Sequence, residues 1–420
     1  MLGVIADDFT GATDVADVLV DGGFRTAVVP GDSLAGSAAP RDLDALVVAL
    51  KSRTAPVERA VLDSLAAYQW LTAGGCQRFY FKYCSTFDST PAGNIGPVID
   101  ALLKATESAA TVVTPAYPAA GRTLYQGHLF VGDQLLSESP MRRHPLTPML
   151  DSDLRRLLRP QTHCRVESAP LGDVRAGAEA LRGRLAKLSA TEPGTTTAVV
   201  VDAVEDEDLR TLASAAADLR LLTGSAGLAS ALPGPSAQAR GRAVYPGGRV
   251  VLCGSASSAS RRQVTVGREH MAAFKLDLAA LERDPAAERD RLAKRVLDAT
   301  RGFYAREPVL VYVLDSAGES PTASAELSHA IEQCLAELAA EFVRAGARQI
   351  LVAGGETSGA VVSRLGARWL VIGPRISQGV PWTASQLADG TLVNLALKSG
   401  NFGPDDIFLS AWAHLESAAA

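Results

Sequence analysis

Short apolar runs alternate along this chain with stretches whose apolar residues recur at helical spacing. Leu2-Gly3-Val4-Ile5-Ala6 reads as a buried strand, and Val15, Val18 and Leu19 share one face of the helix that follows. Strands are predicted over residues 27–29, 46–50, 78–83 and 111–113, with helices over 55–71 and 95–103. Residues 198–202 and 221–225 continue the pattern as strands. Residues 121–159, rich in Pro, Arg and His, break the rhythm and predict an excursion over a functional site. Between Leu232 and Gly248 a cluster of Pro, Gly and Ser reads as a linker. Beyond it the alternation resumes, with strands over 250–253, 309–314 and 349–353 and a long helix over 323–345. The fold class is therefore α/β: two domains, residues 1–240 and 247–420, each with a mainly parallel sheet flanked by helices.

The polar residues that end these strands carry the candidate chemistry, because open α/β sheets bind ligands at the carboxyl ends of their strands. The first strand ends in Asp7-Asp8-Phe9-Thr10-Gly11. Adjacent side chains diverge, so one carboxylate points into the crevice while the other caps the helix or holds the loop. Strand 46–50 leads to Lys51-Ser52-Arg53, and strand 78–83 runs into a segment with Lys82, Ser85, Thr86, Asp88 and Asn94. Cations for a carboxylate beside hydroxyl and acid groups suit a small polyhydroxy acid. Arg122 and His128 follow the fourth strand and join the candidate substrate residues. His144, beside Arg142 and Arg143, reads as a loop-closing element, and Asp315 either holds a metal or caps a turn.

In the second half, glycine- and hydroxyl-rich segments follow two strands: Gly254 to Ser260, with Ser255 and Ser257, and Gly354-Gly355-Glu356-Thr357-Ser358-Gly359. A third, Leu397-Lys398-Ser399-Gly400-Asn401-Phe402-Gly403, adds one cation. Glycine lets backbone approach a phosphate, and helix N-termini bind anions. Turns use the same residues, so it is the repetition within one domain that points to a nucleotide. No P-loop pattern and no dinucleotide fingerprint is present.

Composition excludes more than it adds. The chain has 420 residues and a net charge of −5 with both signs interspersed, which gives no electrostatic footprint for nucleic acid. No apolar run approaches the roughly 18 residues of a membrane span. The five cysteines are scattered and form no zinc or disulfide pattern. The N-terminal apolar run follows no basic region, so it reads as a strand rather than a signal peptide, and a cytoplasmic location is expected.

Three motifs together resemble the four-carbon acid sugar kinase family along essentially the whole chain. They are Ile5-Ala6-Asp7-Asp8-Phe9-Thr10-Gly11-Ala12, the Lys82-to-Asn94 segment, and the Gly354-to-Gly359 stretch with Leu397 to Gly403. Tyr125-Gln126-Gly127 and the segment from Lys82 to Thr90 resemble the branch that acts on 3-oxo-tetronate. The threonate and erythronate branches carry a shorter Lys-x-Asp-Ser-Thr segment followed by Arg-Gly. The resemblance implies an acid-sugar-binding domain, a nucleotide-binding domain and chemistry in the cleft between them. It implies ATP at Ser257, the Gly354-to-Gly359 stretch and Gly400, with Mg²⁺ bridging the phosphates and the metal ligands left open. Asp8 or Asp7 would take the proton of the terminal hydroxyl, and Lys82 and Arg53 would hold the substrate carboxylate. Its partners would be the acid sugar and ATP, with no nucleic acid and no membrane, and self-association stays open. D-Threonate or D-erythronate is the alternative substrate. A phosphatase with an aspartyl nucleophile would need D-x-D spacing, which the adjacent Asp7 and Asp8 lack, and a metabolite sensor would normally carry a further binding module.

Overall fold

The computed structural model describes residues 1–34, 42–143, 147–190, 194–235, 243–303, 307–314 and 325–419. His144 and Asp315 lie outside the described residues. The chain divides into two compact units, Met1–Ala27 with Leu34–Ala239, and Val28–Ser33 with Arg240–Ala420. No helix among the described residues is long and apolar enough to cross a membrane.

The first unit holds a run of parallel strands in the order Ala45–Ala49, Leu2–Ala6, Arg78–Lys82, Leu221–Gly224, Ala110–Thr114, Thr197–Val201 and Arg165–Ala169. Most of these strands are fully buried, as expected of parallel strands covered on both faces. Register puts Ala6 opposite Ala49 on one side and opposite Lys82 on the other, so Asp7, the Leu50-to-Arg53 turn and Lys82 end at one level. The Ser52 and Arg53 N–H groups both donate to the Asp7 carbonyl, at 3.0 and 3.2 Å, and so carry the turn back across the strand end.

Residues 121–159 have secondary structure of their own. Arg122–Tyr125, His128–Val131 and Gln134–Leu135 form a separate antiparallel sheet. Its tight turns use left-handed Gly127 and Gly132 (φ +73° and +63°). Asp202, just past Thr197–Val201, anchors the first turn by accepting the Gln126 and Gly127 N–H groups at 2.6 and 2.9 Å.

In the second unit five parallel strands run in the order Ala272–Lys275, Val309–Tyr312, Gly248–Cys253, Ala347–Ala353 and Leu392–Lys398. Val380–Gln386 and Leu370–Ser377 extend them antiparallel. The Ile407–Ala419 helix packs over this part through Phe408 and Trp412. There the buried Trp382 donates its Nε1–H to the Ala411 carbonyl at 2.8 Å, its ring centroid 5.4 Å from that of Trp412.

Candidate functional site

In the first unit three carboxylates gather on one guanidinium. Arg53 meets Asp7 in a two-point contact, Nε to Oδ2 at 2.8 Å and Nη2 to Oδ1 at 2.9 Å. Its Nη2 also lies 2.9 Å from Asp8 Oδ1, and its Nη1 lies 3.9 Å from Asp88 Oδ2. The loop that carries Arg53 is pinned by Asn94, whose side-chain amide donates to the Ser52, Arg53 and Ala55 carbonyls at 2.7, 3.2 and 2.8 Å. The sequence reading gave Asn94 no role; its only signal was its place at the end of the Lys82 segment. Thr86 donates to Asp88 at 2.6 Å, and Ser85 stands half-buried beside it in the chain.

The two adjacent aspartates differ sharply. The Asp7 side chain is 6% exposed and the Asp8 side chain 26%. Asp8 caps the Phe9–Asp21 helix, accepting the Gly11 N–H at 2.8 Å and the Thr10 hydroxyl at 3.1 Å. Asp8 is both the cap and the more exposed carboxylate, while Asp7 holds the loop through Arg53, the second of the two roles expected for the residue turned away from the crevice. Burial raises the Asp7 carboxyl above its ordinary range, against the pull of Arg53. Burial opposes ionisation of Asp8 too, but the Arg53 and Lys82 charges, the Gly11 N–H and the Thr10 hydroxyl outweigh it and hold Asp8 low. Asp8 is thus an ionised, reachable carboxylate.

Lys82 is almost wholly buried, with Nζ 3.8 Å from Asp8 Oδ1. Gly11 makes this approach fit: a Cβ there would lie 2.0 Å from Lys82 Nζ and 2.2 Å from Asp8 Oδ1. Gly11→Ala is expected to displace both the flexible lysine end and the Asp8 carboxylate. On the family resemblance, in which Lys82 holds a substrate carboxylate, the Michaelis constant for that acid should rise about tenfold or more, as when a hydrogen bond to a charged group is lost. The melting temperature should change little, because the better helix propensity of alanine offsets the disturbed Asp8 cap, each by about 1 kcal/mol. Steady-state kinetics beside a thermal melt checks both halves.

Arg122 and His128 stand apart from this cluster in their contacts. Arg122 donates to the Ala120 carbonyl and the His128 ring to that of Gln126, both within the hairpin region.

In the second unit the three glycine-rich segments come together. Ser257 caps the Ser258–His270 helix by accepting the Ser260 N–H, and the Ser257 and Ser260 hydroxyls donate to the Gly400 carbonyl at 2.6 and 2.8 Å. A Cβ on Gly400 would stand 2.3 Å from Ser255 Oγ. The Thr357 hydroxyl packs against Gly254 and Gly354, where added Cβ atoms would meet it at 2.3 and 3.0 Å. Gly354 to Gly359 is not a loop: the Gly355–Leu365 helix starts one residue into it. Gly354 makes the break at φ +126°, a conformation that L side chains rarely adopt. Gly355 and Glu356 are exposed on the first turn, while Ser358 and Gly359 are buried. The Ser358 hydroxyl has no hydrogen-bond partner among the described residues. Lys398, read from sequence as a loop cation, is the last residue of its strand and fully buried. Burial pulls its ammonium down to about 8.

The cradle of hydroxyls, two helix N-termini and a glycine whose Cβ would fill the space suits a polyphosphate. Among the described residues no cluster of acid, histidine or cysteine side chains is arranged to hold a metal ion. The aspartates of the first unit are engaged with Arg53.

Comparison with known proteins gives a consistent picture. Residues 2–232 match the sugar-binding N-terminal domain family and residues 250–408 the nucleotide-binding C-terminal domain family. The chain is 48% identical over 435 residues to the 3-oxo-tetronate kinase of Cupriavidus necator, covering 99% of this chain and 97% of that protein. It is 46% identical over 438 residues to the 3-oxo-tetronate kinase of Pseudomonas savastanoi pv. phaseolicola, covering 100% and 98%. The solved structure of Haemophilus influenzae protein HI1011 superposes with a TM-score of 0.81 at 40% identity, over 98% of this chain and 100% of that one.

Proposed function

Because this chain belongs to the four-carbon acid sugar kinase family, we propose that its two residue clusters divide one phosphoryl transfer between them. The chain is a small-molecule kinase that uses ATP to phosphorylate 3-oxo-tetronate at its terminal hydroxyl. The observation that carries this reading is full-length similarity to 3-oxo-tetronate kinases at well over 40% identity.

The residue roles are our assignment. In the first unit Lys82 meets the substrate carboxylate, while Ser85, Thr86 and Asp88 meet its oxygen functions. Arg53, given to the substrate carboxylate by the family resemblance, also gathers the aspartates. Asp8 accepts the proton as the 4-hydroxyl oxygen bonds to the γ-phosphorus and the β–γ bridging bond breaks to release ADP. Arg122 and His128, whose own contacts stay within the hairpin region, are assigned as outer substrate contacts. In the second unit the exposed first turn at Gly355 and Glu356, Ser255, Ser257, Thr357 and Gly400 hold the ATP phosphates, with Ser358 and Gly359 behind them. No described side-chain cluster is arranged to hold a metal ion, so Mg²⁺ would come bound to the nucleotide and would offset phosphate charge. The protein works as a cytoplasmic metabolic enzyme, and a homo-oligomer is compatible with this reading.

Coupled detection of ADP with 3-oxo-tetronate, D-threonate and D-erythronate tests it. ADP should form with 3-oxo-tetronate and not with ATP alone. Turnover with threonate or erythronate only would move the substrate to that alternative, and no turnover with any of them would reject the kinase assignment.

A further inference from the structure

The Gly400 carbonyl has more donors than a loop carbonyl needs. Ser257 Oγ, Ser260 Oγ and Lys398 Nζ reach it at 2.6, 2.8 and 3.1 Å. Lys398 Nζ also donates to the Ser399 carbonyl at 3.0 Å and lies 3.2 Å from Ser260 Oγ. Lys398 itself has no exposed surface, so its ammonium cannot touch a ligand while the loop keeps this shape.

A trans peptide is planar, with its N–H opposite its C=O, and the chain has no cis peptide bond among the described residues. Drawing the Gly400 carbonyl inward therefore turns the N–H of the same peptide, that of Asn401, the other way. Asn401 is exposed. Glycine is required at 400 for the peptide to sit there, because a Cβ would run into Ser255 and Ser257.

A second observation points to an anion. The atoms that Lys398 contacts are neutral oxygens, and among the described residues no carboxylate pairs with it. A buried cation held only by neutral dipoles is left uncompensated, and an anion at the loop surface would supply the missing charge.

We propose that Lys398 is a positioning residue for the nucleotide phosphates: it locks the Gly400–Asn401 peptide so that the Asn401 N–H, not the lysine, meets the anion. This rests on the reading of the second unit as the ATP site. It moves Lys398 from direct contact with the nucleotide to a place beneath the contact surface.

Calorimetry on the full-length protein with ATP and with adenosine is the test, on wild type and Lys398→Met. A lock on the phosphate-binding peptide predicts a loss of about 10- to 100-fold in ATP affinity. Adenosine, which lacks phosphates, should bind the variant as it binds wild type. In kinetics the Michaelis constant for ATP should rise and that for the acid sugar should not. A general structural role would weaken both ligands alike, and that result, or unchanged ATP affinity in folded Lys398→Met, would overturn the proposal. Ser260→Ala removes one donor to the same carbonyl and one partner of Lys398. It gives the same readout should Lys398→Met fail to fold, and an equal loss of both ligands or no loss there counts against the lock. Wild type that binds no ATP would overturn the kinase reading as well, which separates the two failures.

Discussion

Asp8→Asn is expected to lower kcat by about 10²- to 10⁴-fold while both Michaelis constants change little. Asparagine keeps the size and caps a helix as well as aspartate, so the Gly11 N–H still finds an acceptor and the stability cost should stay near or below about 1 kcal/mol. What asparagine cannot do is accept a proton. The assignment falls on Asp8 because its side chain is 26% exposed, whereas that of Asp7 is 6% exposed and bound to Arg53 at two points. Its lowered pKa keeps it ionised through the neutral range, so the acid limb of the activity profile should lie below the ordinary aspartate range. Asp7→Asn is the contrast. It should weaken the hold on Arg53 and lower the melting temperature, with a smaller direct effect on turnover. Steady-state kinetics and melts on both variants decide the matter. Near-normal kcat in Asp8→Asn would remove the base role, and a selective loss in Asp7→Asn would transfer it.

The sequence revealed which residues sit at strand ends but not which of them touch. Leu2–Ala6, Ala45–Ala49 and Arg78–Lys82 are legible because parallel strands buried on both faces are continuous apolar runs. Asp7, Arg53 and Lys82 could therefore be placed at the same edge of a sheet. That Arg53 would pair with aspartates was not legible, because the contact joins residues 46 apart in the chain. The antiparallel strands Leu370–Ser377 and Val380–Gln386 escaped for a different reason. Gly373 and Pro374 interrupt the first, and the second mixes Thr, Ser and Gln with its apolar residues, so neither shows a clean run. The Gly355–Leu365 helix hid its start because Gly, Thr and Ser are weak helix formers whose preference matters little in a first turn. The assignment of Val28–Ser33 to the second unit has no local signature at all. An apolar strand followed by Gly31-Asp32-Ser33 reads the same whichever unit it joins.

Arg53→Met should be among the most damaging single changes in the first unit, costing about 3–5 kcal/mol of stability and abolishing measurable turnover. The size follows from what is left behind. Asp7 is buried and would lose both of its contacts to the guanidinium, while Asp8 and Asp88 would lose a shared counter-charge. Removing one partner of a buried pair costs far more than the pair contributes, because the remaining charge stays desolvated. The pH dependence of the loss has a definite sign. Burial already raises Asp7, and without Arg53 nothing of comparable strength opposes it. Folded Asp7 then binds a proton more readily than unfolded Asp7, so the variant is least stable where Asp7 must ionise. It regains stability as pH falls from neutrality toward the ordinary aspartate range. Urea unfolding of wild type and Arg53→Met at about pH 7.5 and 5.5 reads this directly, and the gap between them should narrow at the lower pH. The double variant Arg53→Met with Asp7→Asn removes the stranded charge and should recover part of the stability at the higher pH without restoring turnover. A gap that does not narrow with pH, together with no recovery in the double variant, would show that Arg53 acts through packing of its stem rather than through the charge of Asp7.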